Sequence, residues 1–355
     1  MDKHFFSEEY KGRRVLVTGH TGFKGTWLCM MLHLLGAEVT GYALAPETEP
    51  DLFGLSGLGE SMASVTGDVR DLDHMKKVFD TCRPEVVFHL AAQPIVREGY
   101  RDPAGTYATN VMGTVNLMEC VRLSDSVRSV VNVTTDKVYE NRETDRGYTE
   151  EDRLDGYDPY SNSKSCSELV TRSYVRSFLR EQGVAVSTCR AGNVIGGGDF
   201  EKDRIVPDCV RAALGGEPLI VRNPLSVRPY QHVLEPLTAY LMIAAGQLRA
   251  PKLAGAYNIG PDEEDCLTTG ALAELFAQAW GRGFTWLAQG DGGPHEANLL
   301  RLDCRRIKNV FGWQPRYDVK TAVELVVEWT KAWLDGQDVR ACMERQICDY
   351  LNVRI

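Results

Sequence analysis

Residues 13–25 read Arg-Arg-Val-Leu-Val-Thr-Gly-His-Thr-Gly-Phe-Lys-Gly. The first seven form a short apolar, β-rich run that ends in glycine. The last seven set Gly19, Gly22 and Gly25 in a GxxGxxG spacing. Beyond Gly25, residues Trp27, Leu28, Met31, Leu32 and Leu35 recur at helical intervals. Strand, glycine-rich turn and helix, in that order, open a dinucleotide-binding unit. Glycines let the backbone turn tightly and approach a pyrophosphate, and the helix start offers free N–H groups and the positive end of its dipole. A glycine-rich turn can also be purely structural. Its place directly between the first strand and the first helix favours the phosphate reading, with Thr21, Phe23 and Lys24 inside the loop. Lys24 could equally point to water.

The same alternation continues along the first half. Strand-like runs lie at 37–44, 62–68, 85–92, 129–135 and 184–192, with helical patterns from Asp71 through Phe79, from Pro103 to Arg122 and from Tyr160 to Glu181. Strands joined by helices of this length imply right-handed crossovers and a parallel sheet. Near-continuous apolar strands are what a sheet covered on both faces requires. The expectation is an α/β, Rossmann-type, doubly wound parallel sheet over residues 1–192. After Gly192 the chain turns glycine- and charge-rich (GNVIGGGDFEKDR, 192–204) and then mixed. Helices are expected near 205–214, 233–246, 268–280 and 319–335, and brief strands near 219–221, 256–259 and 284–287. Residues 193–355 are therefore expected to form a smaller substrate-binding lobe, whose boundary blurs if a segment returns to the sheet.

Composition bounds the function. The chain has 355 residues, 43% hydrophobic and 25% charged, in the range of ordinary globular proteins. Its 40 Lys+Arg against 49 Asp+Glu give a formal charge of −9, which argues against a nucleic-acid or anionic-membrane binder. The longest nearly apolar stretch, Tyr240 to Ala245, is far below the roughly 20 residues that span a bilayer. MDKHFFSEEYKGRR at the start has no apolar run of leader length. Ten single cysteines form no CxxC and no zinc-like pair with histidine, so no metal and a cytoplasmic location are expected.

Two further patterns carry chemistry. Tyr160 and Lys164 stand four apart in YSNSK, which puts them on one helix face. A lysine there can stabilise a phenolate and bind a nicotinamide ribose, and the phenol can take a proton from an alcohol. The bland alternative is a solvated face. Thr134-Thr135-Asp136-Lys137 ends the fifth strand, at the edge where a parallel sheet carries its ligands; Asp136 and Lys137 could also be an exposed loop pair. One element is missing. The second strand ends Gly41-Tyr42-Ala43-Leu44, without the acid that usually binds the adenosine ribose, so the choice between NAD and NADP stays open on this ground. Asp68 could contact the adenine or only cap the next helix.

Taken together, TGHTGFKG (18–25), GDVRD (67–71), HLAAQ (89–93), NVMGT (110–114) and YSNSK (160–164) resemble the extended short-chain dehydrogenase/reductase family. The resemblance implies NAD as cofactor, held at Gly19, Thr21, Gly22, Phe23, Lys24, Gly25, Asp68, Val69, Leu90, Ala91, Ala92, Tyr160 and Lys164. It implies that Thr135 supplies a hydroxyl beside the catalytic Tyr160. Within that family, TTDK (134–137), RAGNVIGGGDF (190–200) and RPYQHVLE (228–235) look most like the CDP-glucose 4,6-dehydratase subfamily.

That likeness implies an internal redox dehydration of a nucleotide sugar. Carbon 4 of the hexose is oxidised, the carbon 5 proton and the carbon 6 hydroxyl leave, and the hydride returns at carbon 6. A hydroxide leaves only if protonated, which assigns the acid to Asp136. The base at carbon 5 falls to Lys137, where related dehydratases carry Glu; stabilising the enolate is its alternative role. Gln93, Asn193, Arg204, Arg228 and Tyr230 are expected to hold the substrate, the two arginines at its pyrophosphate. His89 and His232 are read as polar core. A homodimer or homotetramer is expected through the helices at 103–122 and 160–181. The competing readings are a 4,6-dehydratase or 4-epimerase for another nucleotide sugar, and a non-catalytic dinucleotide-binding regulator. Epimerisation expels no water, so it has no use for Asp136, and a regulator has no use for Tyr160 and Lys164.

Overall fold

The computed structural model describes residues 8–290 and 299–352. Residues 1–7, on which part of the leader reading rests, lie outside them. The first half runs β1 (Arg14–Thr18), α1 (Phe23–Leu34), β2 (Glu38–Ala43), β3 (Ala63–Thr66), α2 (Leu72–Cys82), β4 (Val86–His89), α3 (Gly113–Leu123), β5 (Ser129–Val133), α4 (Pro159–Tyr174) and β6 (Ala185–Ala191). A seventh strand, β7 (Ala256–Ile259), joins the far edge. The order is β7-β6-β5-β4-β1-β2-β3, and every neighbouring pair is parallel. This is a Rossmann-type doubly wound sheet. Its order reverses between β1 and β4, and a crevice opens at the carboxyl ends of the strands there.

The apolar runs explain the layers. Val86, Val87 and Phe88 of β4 are wholly buried, as are Val130 and Val131 of β5. α1 buries Trp27, Leu28, Met30, Met31 and Leu32 on one face of the sheet. α2 starts at Asp71, whose carboxylate accepts from the His74 amide, so the cap before this helix is Asp71 and not Asp68. The helix expected over 103–122 is Pro103–Tyr107, a π-helical turn at Ala108–Met112 and α3, in unbroken succession. The one expected over 160–181 is α4 followed by a π-helical turn at Val175–Leu179.

The second half contributes to both layers. Strand β7 comes from it, and α5 (Leu234–Arg249) packs on β5 and β6. Helices Ile205–Gly215, Thr269–Trp280 and Val319–Leu334 share a separate core with Phe284 and Tyr230. The strand expected near 284–287 lies at Trp286–Ala288 and pairs with Leu219–Val221. Arg305–Phe311 and α6 (Val339–Leu351) in this half were not anticipated, nor were the short helices Leu52–Leu55 and Val96–Arg101 in the first, and α6 packs against α1. No helix among the described residues is long and apolar enough to cross a membrane. The ten cysteines are free thiols.

Candidate active site

One cleft of about 920 Å³ lies over the carboxyl ends of β1, β4 and β5. Its inner wall is the glycine loop. Gly19 has φ of +75°, and a Cβ there would stand 2.7 Å from the Ala91 amide nitrogen. A Cβ at Gly25 would stand 2.0 Å from the Gly19 carbonyl oxygen. These two glycines let loop, helix and β4 close on one another. Gly22 differs. It is the N-cap of α1, no side chain caps it, and its Cβ would meet only one atom, 3.5 Å away. The helix start therefore faces the cleft with bare N–H groups and no side chain in the way. That cradle fits a dinucleotide pyrophosphate.

Gly22→Ala isolates this point. Its φ of −78° suits alanine, so thermal stability should be unchanged. The added methyl occupies the phosphate seat, and NAD affinity measured by calorimetry should fall about tenfold or more, about 1.4 kcal/mol. Undiminished affinity would remove the pyrophosphate from this loop.

Thr21, Phe23, Lys24, Asp68, Val69, Leu90, Ala91 and Ala92 also line the cleft. Asp68 is paired with Arg70, Nη2 to Oδ2 at 2.5 Å, and accepts from the Arg70 amide. Lys24 is half-buried on the cleft wall. Burial and the neighbouring Arg204 push its ammonium down to about 8, with Asp136 and Asp199 opposing. His20 turns away from the cleft. Its Nε2 lies 2.7 Å from Ser64 Oγ, and a Cβ at Gly41 would strike its ring at 2.2 Å. Glycine near the end of β2 is thus the partner of His20. The nearest acid past β2 on the cleft wall is Glu47, in the Leu44–Thr48 loop, which carries no motif.

The reactive end is built by two local starts. Asp158 caps α4, accepting from the Ser161 amide at 3.0 Å, and Pro159 fixes the first turn. Tyr160 therefore stands at the very beginning of α4, at the cleft. Burial raises its phenol to about 12, and the Thr135 hydroxyl beside it opposes that rise. Lys164 lies one turn below, out of the cleft lining, and donates to the Val133 carbonyl at 3.1 Å. Burial, then Lys24, push it down to about 7, while Glu168 opposes. Past β5, Thr135 caps a short turn of Asp136–Val138. Its hydroxyl donates to Asp136 Oδ1 at 2.9 Å. Asp136 is fully buried, and its Oδ2 has no hydrogen-bond partner among the described residues. Lys137 Nζ lies 3.9 Å from Asp136 Oδ1, and its side chain is 32% exposed. A Cβ at Gly192 would stand 2.3 Å from Asp136 Oδ2, so glycine there keeps the carboxylate's place open.

The outer wall carries Asn193, Arg204, Arg228 and Tyr230. Asn193 Oδ1 is buried and unpartnered among the described residues. Arg204 pairs with Asp199 at 3.0 Å, and the Tyr230 hydroxyl lies 3.2 Å from Thr269 Oγ1. Gln93 does not reach the cleft. Its amide donates to Thr106 at 2.8 Å, its carbonyl accepts from the Ile95 amide, and it shapes the turn that brings Pro94–Arg97 to the wall. Arg97 lines the cleft without any sequence signal having marked it, and Asp199 and Asp203 line it from the glycine- and charge-rich stretch 192–204, where no role was assigned to them. His89 is core, 2.7 Å from Thr18 Oγ1, and His232 packs between Trp27 and Tyr317. Burial pushes both imidazoles down to about 3, so they stay neutral. No group of three His, Cys, Asp or Glu that could hold a metal occurs among the described residues.

Known proteins resemble the chain in sequence and in fold. The model of the NAD dependent epimerase/dehydratase family matches residues 15–260. A CDP-glucose 4,6-dehydratase of Salmonella typhimurium is 44% identical, over 99% of both chains. A dTDP-glucose 4,6-dehydratase of Xanthomonas campestris is 26% identical, over 90% of this chain and 95% of that one. Among solved structures, a UDP-glucose 4-epimerase of Thermotoga maritima has a TM-score of 0.78 at 22% identity, covering 90% of this chain and 99% of that one. A dTDP-glucose 4,6-dehydratase of Bacillus anthracis, in complex with NAD, has a TM-score of 0.75 at 22% identity, covering 92% and 99%. The two structures share the fold, and the Salmonella relative extends the likeness along the whole chain. The chain belongs to the NAD-dependent epimerase/dehydratase family, in the extended short-chain dehydrogenase/reductase group.

Proposed function

We propose that the protein is an NAD-dependent hydro-lyase that converts CDP-glucose to CDP-4-keto-6-deoxyglucose. The carrying observation is that Tyr160, Thr135, Asp136 and Lys137 all line one cleft beside the glycine cradle, in a chain that matches a CDP-glucose 4,6-dehydratase end to end. NAD, held at the cradle of Gly19, Gly22 and Gly25, would supply the acceptor for the carbon 4 hydride and its donor at carbon 6. Tyr160 Oη takes the proton of the carbon 4 hydroxyl, with Thr135 and the Arg204 guanidinium favouring its phenolate and Lys164 one turn further along α4. The ketone so formed acidifies carbon 5. Asp136 and Lys137 form an ion pair at 3.9 Å. Moving one proton across it gives a carboxylic acid and a neutral amine. These are the acid and base that elimination requires, the amine for carbon 5 and the acid for the carbon 6 hydroxyl. Arg204 and Arg228 meet the substrate pyrophosphate, with Asn193 and Tyr230 beside them.

The same proposal divides the work along the chain, with NAD and the reacting groups on residues 1–192 and the nucleotide held mostly by residues 193–355. It places the protein in the cytoplasm, in keeping with its ten free thiols. It also pairs two copies through the helices that expose Met112, Leu123, Leu169 and Phe178. The test is turnover of CDP-glucose, dTDP-glucose, UDP-glucose and GDP-mannose with NAD, followed by the alkali absorbance of a 4-keto sugar. CDP-glucose should give the largest kcat/KM. Reaction with another nucleotide sugar alone would overturn the substrate, and a 4-epimer without water loss would overturn the reaction.

A further inference from the structure

Tyr160 and Lys164 are not the whole of their stripe. Four residues further along α4 stands Glu168, also facing the sheet and also buried. It does not line the cleft, so it touches neither substrate nor cofactor. Both its oxygens are held. Oε1 accepts from Thr134 Oγ1 at 2.6 Å and Arg190 Nε at 2.9 Å. Oε2 accepts from Thr188 Oγ1 at 2.8 Å and Arg190 Nη2 at 2.8 Å. Arg190, on β6, is itself fully buried and donates from Nη1 to Tyr139 at 2.8 Å and to the Glu150 carbonyl.

A buried ion pair of this kind is weak evidence for stability, because apolar residues of the same volume often serve as well. Its placement here points to another use. On one side it grips Thr134, the residue before Thr135 and Asp136. On the other it lies one turn from Lys164 on the same helix. Thr134 also donates its amide to the Cys189 carbonyl, which ties the end of β5 to β6 beside Arg190.

We propose that the Glu168–Arg190 pair is the positioning element of the catalytic machinery: it fixes the Thr134–Thr135 segment against Tyr160 and supplies the counter-charge for Lys164. This rests on the reading of Tyr160 and Lys164 given above. The charged groups that face Lys164 are few. Lys24, from the glycine loop, repels it, and Glu168 attracts it. His89, from β4, stays neutral. Arg190 and the Thr134 and Thr188 hydroxyls outweigh burial and hold the Glu168 carboxyl below the usual range, so it is an anion throughout the working pH range. Glu168 is therefore the only anion set against Lys24 at this ammonium among the described residues. Without it, Lys164 sheds its proton at lower pH.

Glu168→Gln alone strands Arg190, so the test is the double variant Glu168→Gln/Arg190→Gln, which removes both charges at nearly constant volume. Two readouts are needed. The first is the titration of Lys164 in the intact protein, by NMR of labelled lysine side chains assigned with Lys164→Arg; it requires no turnover. The midpoint should fall by about one pH unit in the double variant, and Glu168→Asp should restore it. The second is the pH profile of kcat. Its alkaline limb should move down in parallel, with kcat lowered about tenfold and KM little changed. Thr134→Val, which cuts only the link to the strand end, should lower kcat without moving the Lys164 midpoint. A wild-type protein silent on CDP-glucose would count against the proposed reaction and leave the titration to judge the pair. An unmoved Lys164 midpoint in Glu168→Gln/Arg190→Gln would overturn the counter-charge role. Wild-type kcat in Thr134→Val would overturn the positioning role. If the double variant does not fold, an unmoved midpoint in Glu168→Gln, whose Arg190 then adds only positive charge, overturns the proposal equally.

Discussion

Tyr160→Phe should lower kcat by about 10²–10⁴, the usual contribution of a general base. The phenyl ring fills the same buried space at the start of α4, so the variant should keep the wild-type melting temperature and NAD affinity. The loss should fall on carbon 4 oxidation, because only the proton acceptor is gone. The pH profile sharpens the test. The active base is the phenolate, whose fraction grows tenfold per pH unit below the phenol's own pKa, and burial holds that value high while Thr135 opposes. In the wild type, log kcat/KM should therefore rise with unit slope along its acidic limb. In the variant that limb should flatten. Turnover near the wild-type rate, or an unchanged acidic limb, would move the base elsewhere.

Asp136→Asn should slow elimination by about 10²–10⁴ while sparing carbon 4 oxidation. The side chain is fully buried, so the amide must fit the space of the carboxylate, which it matches in size. Thr135 Oγ1 can still donate to its oxygen, as it does to Oδ1 at 2.9 Å. What disappears is the transferable proton beside Lys137. The discriminating substrate is CDP-6-deoxy-6-fluoroglucose. Fluoride needs less help from an acid, so it should suffer a smaller loss than hydroxide. Equal losses with both substrates would place Asp136 before the elimination. Gly192→Ala should act in the same direction, since its Cβ collides with Oδ2 at 2.3 Å and displaces the carboxylate.

What could be read from the chain beforehand was local. Strands such as Val86–His89 are unbroken apolar runs, and the glycine loop and the Tyr160/Lys164 pair are fixed spacings within one turn or one helix. These patterns carry their own physics, and the cleft brings most of the residues they mark together. What stayed hidden depends on partners far along the chain. The strand at 256–259 was visible, but its pairing with β6 is set by residues about seventy positions away. Gln93 stands in the HLAAQ motif yet turns inward, because Thr106 and Ile95 satisfy its amide. Lys24 lines the cleft, where Asp136 and Asp199, distant in the chain, favour its charge and Arg204 opposes it. Glu168 and Arg190 lie 22 residues apart, and nothing in either segment announces the other. The last helix is a different case. Asp338 caps α6, and Val339, Met343, Ile347 and Tyr350 fall at helical spacing, so its signal was present but unread.

The central claim is that one hydride leaves carbon 4 and returns to carbon 6 of the same hexose as water departs. CDP-glucose carrying deuterium at carbon 4 tests it directly, with the product read by NMR and mass spectrometry. The account predicts CDP-4-keto-6-deoxyglucose with one deuterium in its carbon 6 methyl group, none lost to solvent, and no net consumption of NAD. Deuterium retained at carbon 4 of an epimer, or a product whose methyl group carries none, would contradict it.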